Sequence, residues 1–285
     1  MNKVNFLDKN LRKEFLERLS LISTILSLFL IFYDIPTSKK CFLGISFILF
    51  LLIFYIILWY RANNLSSINL NINNSEIEIK IGDIFKESGV KVIAFNEYYD
   101  TIVDDKIISK KSLNGIFIDK IGNRKLKELD DLIKNDTDLE KNHKLDYNSS
   151  RTSGKKQKYR LGSILEYEYD KNKEEIYFLT AMTKFDDNNR AILSFKEFIN
   201  FLLEFWNNID IKYNNRTIVI PVLGTGITRF KEKIDISDQE LLNLIIWTFK
   251  LSKIKFTYPS KIKIIVHNSK RDKINFYNLK QLEKI

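Results

Sequence analysis

The sequence is poor in the residues that build disulfides and zinc sites. Its 285 residues include one cysteine, Cys41, and two histidines, His143 and His267, which lie far apart in the chain. A single cysteine forms no intrachain disulfide, and isolated histidines are not the Cys/His clusters that bind structural zinc. We therefore expect a reduced, intracellular chain without a disulfide framework, a metal site or a bound cofactor.

Glycine and proline are also scarce, with nine and three residues. Two of the nine glycines, Gly224 and Gly226, flank Thr225 directly after the apolar run 218–222. Closely spaced glycines let backbone N–H groups approach an anion. No Gly-Lys-Ser/Thr follows, and Arg229 stands at the third glycine position of the dinucleotide fingerprint, so neither nucleotide motif is present. The Gly-Thr-Gly stretch alone leaves an ordinary turn and an anion-binding loop as open alternatives.

The formal net charge of the chain is +10. A basic surface favours anionic partners such as a nucleotide, a nucleic acid or lipid headgroups. The basic residues are spread along a chain rich in Lys, Asn and Ile, so the charge also fits an ordinary solvated surface.

Long apolar runs are confined to the first sixty residues. Residues 19–33 and 41–60 contain no charged side chain, and the polar stretch 34–40 with Pro36 joins them. Twenty residues at about 1.5 Å each span about 30 Å, the thickness of a hydrocarbon core, whereas the first run spans about 22 Å. The pattern predicts a hairpin of two transmembrane helices in residues 1–61.

Basic residues predict the orientation of this hairpin. Two lysines lie in the short connection, and a larger group flanks the two spans: Lys3, Lys9, Arg12, Lys13, Arg18 and Arg61. Because the more basic side stays in the cytoplasm, we expect both termini there, in a two-span protein of the cell membrane. A cleaved signal peptide and two buried soluble helices are the alternatives. The first lacks a small-residue cleavage pattern, and twenty uncharged residues argue against the second.

From residue 76 onward the sequence alternates strand and helix patterns. Apolar or alternating runs predict strands at 76–84, 90–95, 164–169, 174–183, 216–222 and 261–268. Amphipathic runs predict helices at 125–134, 194–209 and 237–252, and a last one from Lys273. Ser237 and Glu240 form a capping-box pattern. This alternation predicts an α/β domain of three layers with a mixed central sheet. Residues 62–75 are interpreted as a short linker or as a fraying entry into the next domain. The polar residues 135–160 are interpreted as a long loop, either a lid over a site or disordered surface.

Three strand ends carry the motifs of a candidate site: Gly-Asp-Ile at 82–84, Asn96, and Pro-Val-Leu-Gly-Thr-Gly-Ile at 221–227. Ligands of open α/β sheets bind beyond the carboxyl ends of strands. The combination resembles a macro domain, a family that binds ADP-ribose and its derivatives. The resemblance implies that Asp83 contacts the adenine amino group and Asn96 the distal ribose. It also implies that main-chain N–H groups surround the pyrophosphate, and these belong to Gly224, Thr225, Gly226 and Ile227. The remaining residues of the implied pocket are Ile84, Pro221, Leu223 and Thr228.

After Asn96 the sequence departs from the usual macro pattern. A second Asn and a glycine-rich run are replaced by a stretch whose only glycine is Gly115. This puts ADP-ribosyl hydrolysis in doubt. Acidic and aromatic side chains are expected to face a group beyond the distal ribose, and Asn114 and Gly115 to close the pocket. The acidic and aromatic side chains in question are Glu97, Tyr98, Tyr99 and Asp100.

These departures, together with "SLNGIF", "YRLGSILEY" and the two spans, resemble the transmembrane macro-domain form of the Thoeris antiphage defence effector ThsA. The resemblance covers essentially the whole chain. It implies bacterial abortive-infection defence at the inner membrane, in which a TIR-domain partner makes a nucleotide signal from NAD. The implied signal resembles ADP-ribose joined to histidine. Its binding would drive homo-oligomerisation, and the assembled protein would damage the membrane lipid. The resemblance implies neither a nucleic-acid partner nor a catalytic activity. A membrane-tethered ADP-ribosyl hydrolase and a passive docking module are the alternatives.

Overall fold

A computed structural model of the chain describes residues 4–170, 172, 174–226, 229–231 and 235–283. The N-terminal region contains two antiparallel helices, α1 (Lys9–Phe32) and α2 (Thr37–Asn63). Both are long and apolar enough to cross a membrane, and their most apolar windows are 0% and 6% buried. The buried residues of the hairpin lie at its base, where Leu11 of α1 and Leu58 of α2 belong to one cluster. The exposed apolar surface distinguishes these helices from the core helices of a soluble domain, which are buried.

Nine of the eleven strands in the described residues form one mixed sheet, and two form a separate hairpin. The strands are β1 (Ser67–Ile72), β2 (Ser75–Gly82), β3 (Val90–Asn96), β4 (Lys144–Tyr147), β5 (Gln157–Tyr159), β6 (Ile164–Asp170), β7 (Glu175–Phe185), β8 (Ala191–Leu193), β9 (Ile218–Pro221), β10 (Arg229–Phe230) and β11 (Ile262–His267).

The centre of the sheet is parallel. The order is β1-β2-β11-β9-β3-β7, and β6 and β8 follow one another along the outer edge of β7. Strands β2, β11, β9, β3 and β7 run in one direction, whereas β1, β6 and β8 run the opposite way, and β10 pairs parallel to β8. Parallel strands bring their carboxyl ends to one edge. The ends of β2, β11, β9, β3 and β7 therefore lie side by side.

Helices cover both faces of the sheet, which confirms the predicted three-layer arrangement. Helices α4 (Phe195–Lys212) and α5 (Asp238–Ser252) pack on one face, and α3 (Leu113–Asn135) packs on the other. Side chains alternate along a strand, so Phe178 of β7 joins the α4/α5 core while Leu179 joins the α3 core. Capping boxes begin α4 at Ser194 and α5 at Ser237, the second as predicted.

Three predicted segments differ from the structure. Residues 62–75, interpreted as a linker, contain the end of α2 and all of β1, which pairs with β2. Residues 135–160 are ordered structure: a short π-helix (Leu139–His143) precedes the β4–β5 hairpin, and Leu139 is fully buried. As far as residue 283, where the described part of the tail from Lys273 ends, its one α-helix is the four-residue α6 (Phe276–Leu279), which lies between two 3-10 turns.

Candidate ligand-binding site

A cavity of about 570 Å³ opens at the edge where the parallel strands end. Each of these five strands contributes a residue at or near its carboxyl end: Gly82 from β2, His267 from β11, Pro221 from β9, Asn96 from β3 and Thr183 from β7. Four loops, the first turn of α3, Ala191 of β8 and Asp238 of α5 complete the wall. The volume falls within the range of about 300–1,000 Å³ that is usual for small-molecule sites.

Most of the predicted site residues line this cavity. They are Asp83, Ile84, Asn96, Asn114, Pro221, Leu223, Gly224, Thr225 and Gly226. Two further ones, Ile227 and Thr228, lie outside the described residues. The motifs at three strand ends, which lie up to 145 positions apart in the sequence, are thus neighbours in the fold.

Asp83 follows β2 and caps the 3-10 turn Ile84–Lys86. Its Oδ1 accepts a hydrogen bond of 3.0 Å from the backbone N–H of Phe85. This bond fixes the carboxylate on the cavity wall. The ring of Phe85 also lines the cavity, so an acidic acceptor and an aromatic face stand side by side. A flat, hydrogen-bond-donating ring system suits such a pair.

The amide of Asn96 is held in one orientation by the residues that follow it. Its Oδ1 accepts from the backbone N–H groups of Tyr98 and Asp100, at 2.9 and 3.3 Å. Its Nδ2 donates to Asp100 Oδ2 at 3.0 Å. An amide carries two N–H donors, and the described contacts account for one of them. Asn96 is therefore a pre-oriented donor on the cavity wall.

Asp100 is fully buried and belongs to an internal ion pair. Arg151, from the β4–β5 connection, donates to it twice, at 3.1 and 2.7 Å. The backbone N–H of Lys155 adds a third bond of 2.7 Å to Asp100 Oδ1. The Lys155 ammonium bonds Asp130 and the carbonyl of Tyr99, each at 2.6 Å, and burial lowers the pKa of Lys155. These contacts from the β4–β5 hairpin thus hold the turn after β3 in a fixed conformation.

The side chains of residues 97–100 are not on the cavity wall, contrary to the prediction that they face a ligand. All four are buried. Glu97 accepts from the Phe185 backbone N–H at 3.2 Å, and the Tyr98 ring lies under the guanidinium of Arg151, at 3.9 Å. Tyr99 bonds the carbonyl of Ser163 at 2.9 Å, and burial raises its pKa. Residues 97–100 therefore lie in the interior next to Asn96 and not on the surface that faces the cavity.

Asn114 and Gly115 have different positions in the first turn of α3. Asn114 lines the cavity, and its Oδ1 is buried without a hydrogen-bond partner in the described structure. Gly115 lies behind the wall, where a Cβ atom would come within 2.2 Å of the Ser109 carbonyl oxygen. The glycine therefore lets the loop before α3 pack closely, whereas the asparagine lines the cavity and has a buried oxygen without a described partner.

The glycine loop after β9 forms another part of the wall. Gly224 has φ of +87°, a left-handed conformation that favours glycine, while Gly226 is exposed and has open space where a Cβ would stand. Thr225 stabilises the loop by donating from its hydroxyl to the Val222 carbonyl at 2.9 Å. The loop is thus a tight turn with an open outer position.

Several wall residues were missed by the sequence reasoning. Among them are Ser269, Lys270 and Ile274, which follow β11, and Phe185 at the end of β7. The strand at 261–268 was predicted, so its carboxyl end qualified as a binding loop by the same rule as the other three ends. No sequence motif marks this loop, and its position after a parallel strand is the one signal that identifies it.

The titratable side chains on the described part of the wall are Asp83, Lys111, Asp238, His267 and Lys270. Among the described residues, the carboxylates on the wall are Asp83 and Asp238. No group of three or more His, Cys, Asp or Glu side chains in the described part of the chain is placed to hold a metal ion. The arrangement supplies fixed donors, acceptors and a glycine loop, which are the elements of a binding site.

Comparisons with known proteins agree with this geometry. The family "Thoeris protein ThsA, Macro domain" matches residues 77–267. A protein of Bacillus amyloliquefaciens (strain Y2), Thoeris protein ThsA, is 38% identical over 281 residues, covering 97% of this chain and 91% of the relative. A solved structure, the Oceanobacillus iheyensis macrodomain with MES bound, is 18% identical and covers 77% of this chain and 99% of its own, with a TM-score of 0.51. That likeness shows the macrodomain fold, and the first two matches show that the chain belongs to the ThsA macro-domain family of Thoeris proteins.

Proposed function

We propose that the chain is a membrane effector of Thoeris antiphage defence whose macro domain binds an ADP-ribose-type signal. One observation carries the proposal: Asp83, Asn96 and residues 224–226 share one cavity at the carboxyl edge of the sheet. In this proposal a TIR-domain partner produces the signal, histidine-ADP-ribose. Binding promotes assembly of several copies in the bacterial inner membrane, and the hairpin of α1 and α2 then disrupts the lipid bilayer.

Each part of an ADP-ribose molecule has a counterpart on the wall. The adenine amino group is proposed to donate to Asp83, with the ring beside Phe85. The pyrophosphate takes backbone N–H groups of residues 224–226, and the distal ribose meets Asn96 and the unpaired acceptor of Asn114. Ribose hydroxyls both donate and accept, so they suit an amide N–H on one side and an amide oxygen on the other.

A group attached to the distal ribose would meet a different subsite from the one expected from the sequence. Glu97, Tyr98, Tyr99 and Asp100 are buried behind the wall, whereas Ile107, Ile108, Met182 and Phe185 are on it. Apolar and aromatic side chains favour a flat, partly apolar group such as an imidazole ring. This composition supports an aromatic amino-acid appendage on the signal.

The distribution of carboxylates supports sensing without turnover. General acid–base catalysis needs a titratable group within hydrogen-bond reach of the reacting atoms. Asp100 is held by Arg151 in the interior, and Glu97 accepts from a backbone N–H behind the wall. Neither carboxylate therefore reaches a bound ribose in this arrangement. We propose that the protein is not an enzyme, and a hydrolase remains the second outcome of the experiment below.

The N-terminal helices support the membrane part of the proposal. Large apolar side chains along both helices are exposed, including Phe29 of α1 and Phe50 of α2, at 63% and 49%. Such a surface is unfavourable in water and is covered by lipid in a bilayer. We propose that residues 1–61 form a two-span hairpin with both termini in the cytoplasm and that the chain from β1 (Ser67–Ile72) onward forms the sensing domain.

The proposal is tested by titrating the full chain with ADP-ribose in a calorimeter. Gly226→Glu adds a carboxylate beside the pyrophosphate, and we expect a loss of affinity of at least about 100-fold because like charges repel at short range. Gly226→Ala is the matched control. Its Cβ meets nothing within 4 Å, so its affinity should stay within about threefold of the wild type. Undiminished binding by the Glu variant would refute the assignment, and release of free products from an ADP-ribosylated protein would favour the hydrolase.

A further inference from the structure

We propose that Lys270 is a ligand-binding residue that supplies positive charge to the pyrophosphate of the signal, an inference that rests on the proposed function. Lys270 lies in the 3-10 turn Asn268–Lys273 that follows β11, and it lines the cavity. No motif in the sequence marks it.

The ammonium of Lys270 contacts the glycine loop, residues 224–226. Its Nζ lies 3.2 Å from the carbonyl oxygen of Thr225, the middle residue of Gly-Thr-Gly. Backbone N–H groups carry only partial charges, whereas a pyrophosphate carries two full negative charges. A cation that contacts the same loop completes the site, because Lys is a compact point charge that suits phosphate oxygens.

Asp238 keeps this cation in place. Its Oδ2 lies 3.1 Å from Lys270 Nζ, and its side chain is 11% exposed. An ammonium has three N–H donors, of which the Thr225 carbonyl accepts one, whereas Asp238 lies at ion-pair distance without a hydrogen bond among the described contacts. A further donor can bond a phosphate oxygen without breaking the contact to Thr225. Lys270 is therefore held at the loop with a donor to spare, and binding requires little rearrangement.

A neighbouring lysine provides a control on the same turn. Lys273 lies 3.8 Å from the same Asp238 oxygen, but its side chain is 59% exposed and is not part of the cavity wall. Removal of its charge changes the overall charge of the protein by the same amount as removal of the Lys270 charge. The two variants therefore separate a direct contact from a general electrostatic effect.

The experiment measures the affinity of the full chain for ADP-ribose and for adenosine, which lacks the pyrophosphate. Lys270→Met should lower the ADP-ribose affinity about tenfold and leave the adenosine affinity unchanged. Lys273→Met should bind both like the wild type, and Lys270→Arg should recover most of the lost affinity. Raising the salt concentration should weaken ADP-ribose binding by the wild type more than by Lys270→Met, because salt screens charge interactions.

The outcomes are separable. Equal ADP-ribose affinities for wild type and Lys270→Met would overturn the role of Lys270 and leave the proposed function intact. A parallel loss of adenosine affinity would also overturn it, since the lysine would then act on the shape of the site. A wild type that binds neither compound would refute the proposed function itself.

Discussion

At the scale of single residues, the orientation of Asn96 depends on an ion pair that is out of the ligand's reach. Asp100 is fully buried and Arg151 nearly so, and their two hydrogen bonds are 3.1 and 2.7 Å long. Asp100 also accepts the N–H of Asn96. Removing one partner of a buried pair is costly because it leaves the other charge without compensation.

Asp100→Asn tests this dependence. We expect a loss of about 3 kcal/mol in the free energy of unfolding, because the Arg151 guanidinium keeps its charge in a buried position. ADP-ribose affinity should also fall, since the Asn96 amide loses the partner that orients it. Denaturation of the detergent-solubilised chain and calorimetry measure the two effects. Asp146→Asn, at an exposed position, should change the stability by less than about 0.5 kcal/mol. Equal stability of the two variants would contradict the prediction.

The role of residues 97–100 was not accessible from the sequence. The partner of Asp100 lies 51 positions away, in a stretch with no apolar periodicity. A carboxylate after a strand end indicates a ligand contact and an internal ion pair equally well. That Asp83 and Asn96 line the same cavity could be expected because parallel strands end at one edge, which is a property of the fold and not of distant pairing.

At the scale of elements, the two capping boxes differ in the contacts that their glutamates make outside their own helix. Glu197 of α4 bonds Ser194 and also pairs with Lys184 of β7 at 2.7 Å, whereas Glu240 of α5 bonds only Ser237 among the described contacts. Burial alone would raise the pKa of Glu197, but the hydrogen bonds from Lys184 and Ser194 outweigh it and lower the pKa to about 2. The first box therefore ties α4 to the sheet.

The pKa of Glu197 predicts a pH dependence of stability. Its folded value lies below its ordinary value of 4.5, so the stabilising effect is complete above about pH 4.5 and is lost as the pH falls toward 2. After allowance for its partial exposure, the effect is about 1–2 kcal/mol. Melting temperatures of wild type and Glu197→Gln should differ at pH 7 and converge toward pH 3. Glu240→Gln is the control with a smaller effect, and a constant gap for Glu197→Gln would contradict the assignment.

The elements that could be predicted are those whose apolar pattern is long or whose cap is explicit. The strands at the centre of the sheet and the start of α5 belong to this group. Strand β1 alternates polar residues with Ile68, Leu70 and Ile72, which is a strand pattern, but its Asn- and Ser-rich composition led to the interpretation as a linker. The β4–β5 hairpin was missed because Arg151 and Tyr159, and not an apolar face, anchor it to the domain.

At the scale of the whole molecule, the C-terminal segment connects the cavity to the hairpin. Ser269, Lys270 and Ile274 line the cavity, and Tyr277 follows three residues after Ile274. The hydroxyl of Tyr277 bonds Glu14 of α1 at 2.8 Å, and its ring packs on the buried base of the hairpin. Burial and the Glu14 carboxylate both raise the pKa of Tyr277. Under the proposed function, the tyrosine is thus the point at which a change at the cavity wall reaches α1.

Tyr277→Phe removes this hydrogen bond and keeps the ring. Hydrogen exchange of the full chain in lipid nanodiscs, with and without ADP-ribose, then measures how far the effect of the ligand extends. In the wild type we expect altered protection at residues 268–283 and at residues 4–18, since two coupled sites respond to the same ligand. In Tyr277→Phe the first response should remain and the second should largely disappear, because a bond to a carboxylate worth about 2 kcal/mol is missing. Tyr258→Phe, at a residue 89% exposed, should match the wild type. An undiminished response of residues 4–18 in Tyr277→Phe would show that the ligand signal reaches the hairpin by another contact.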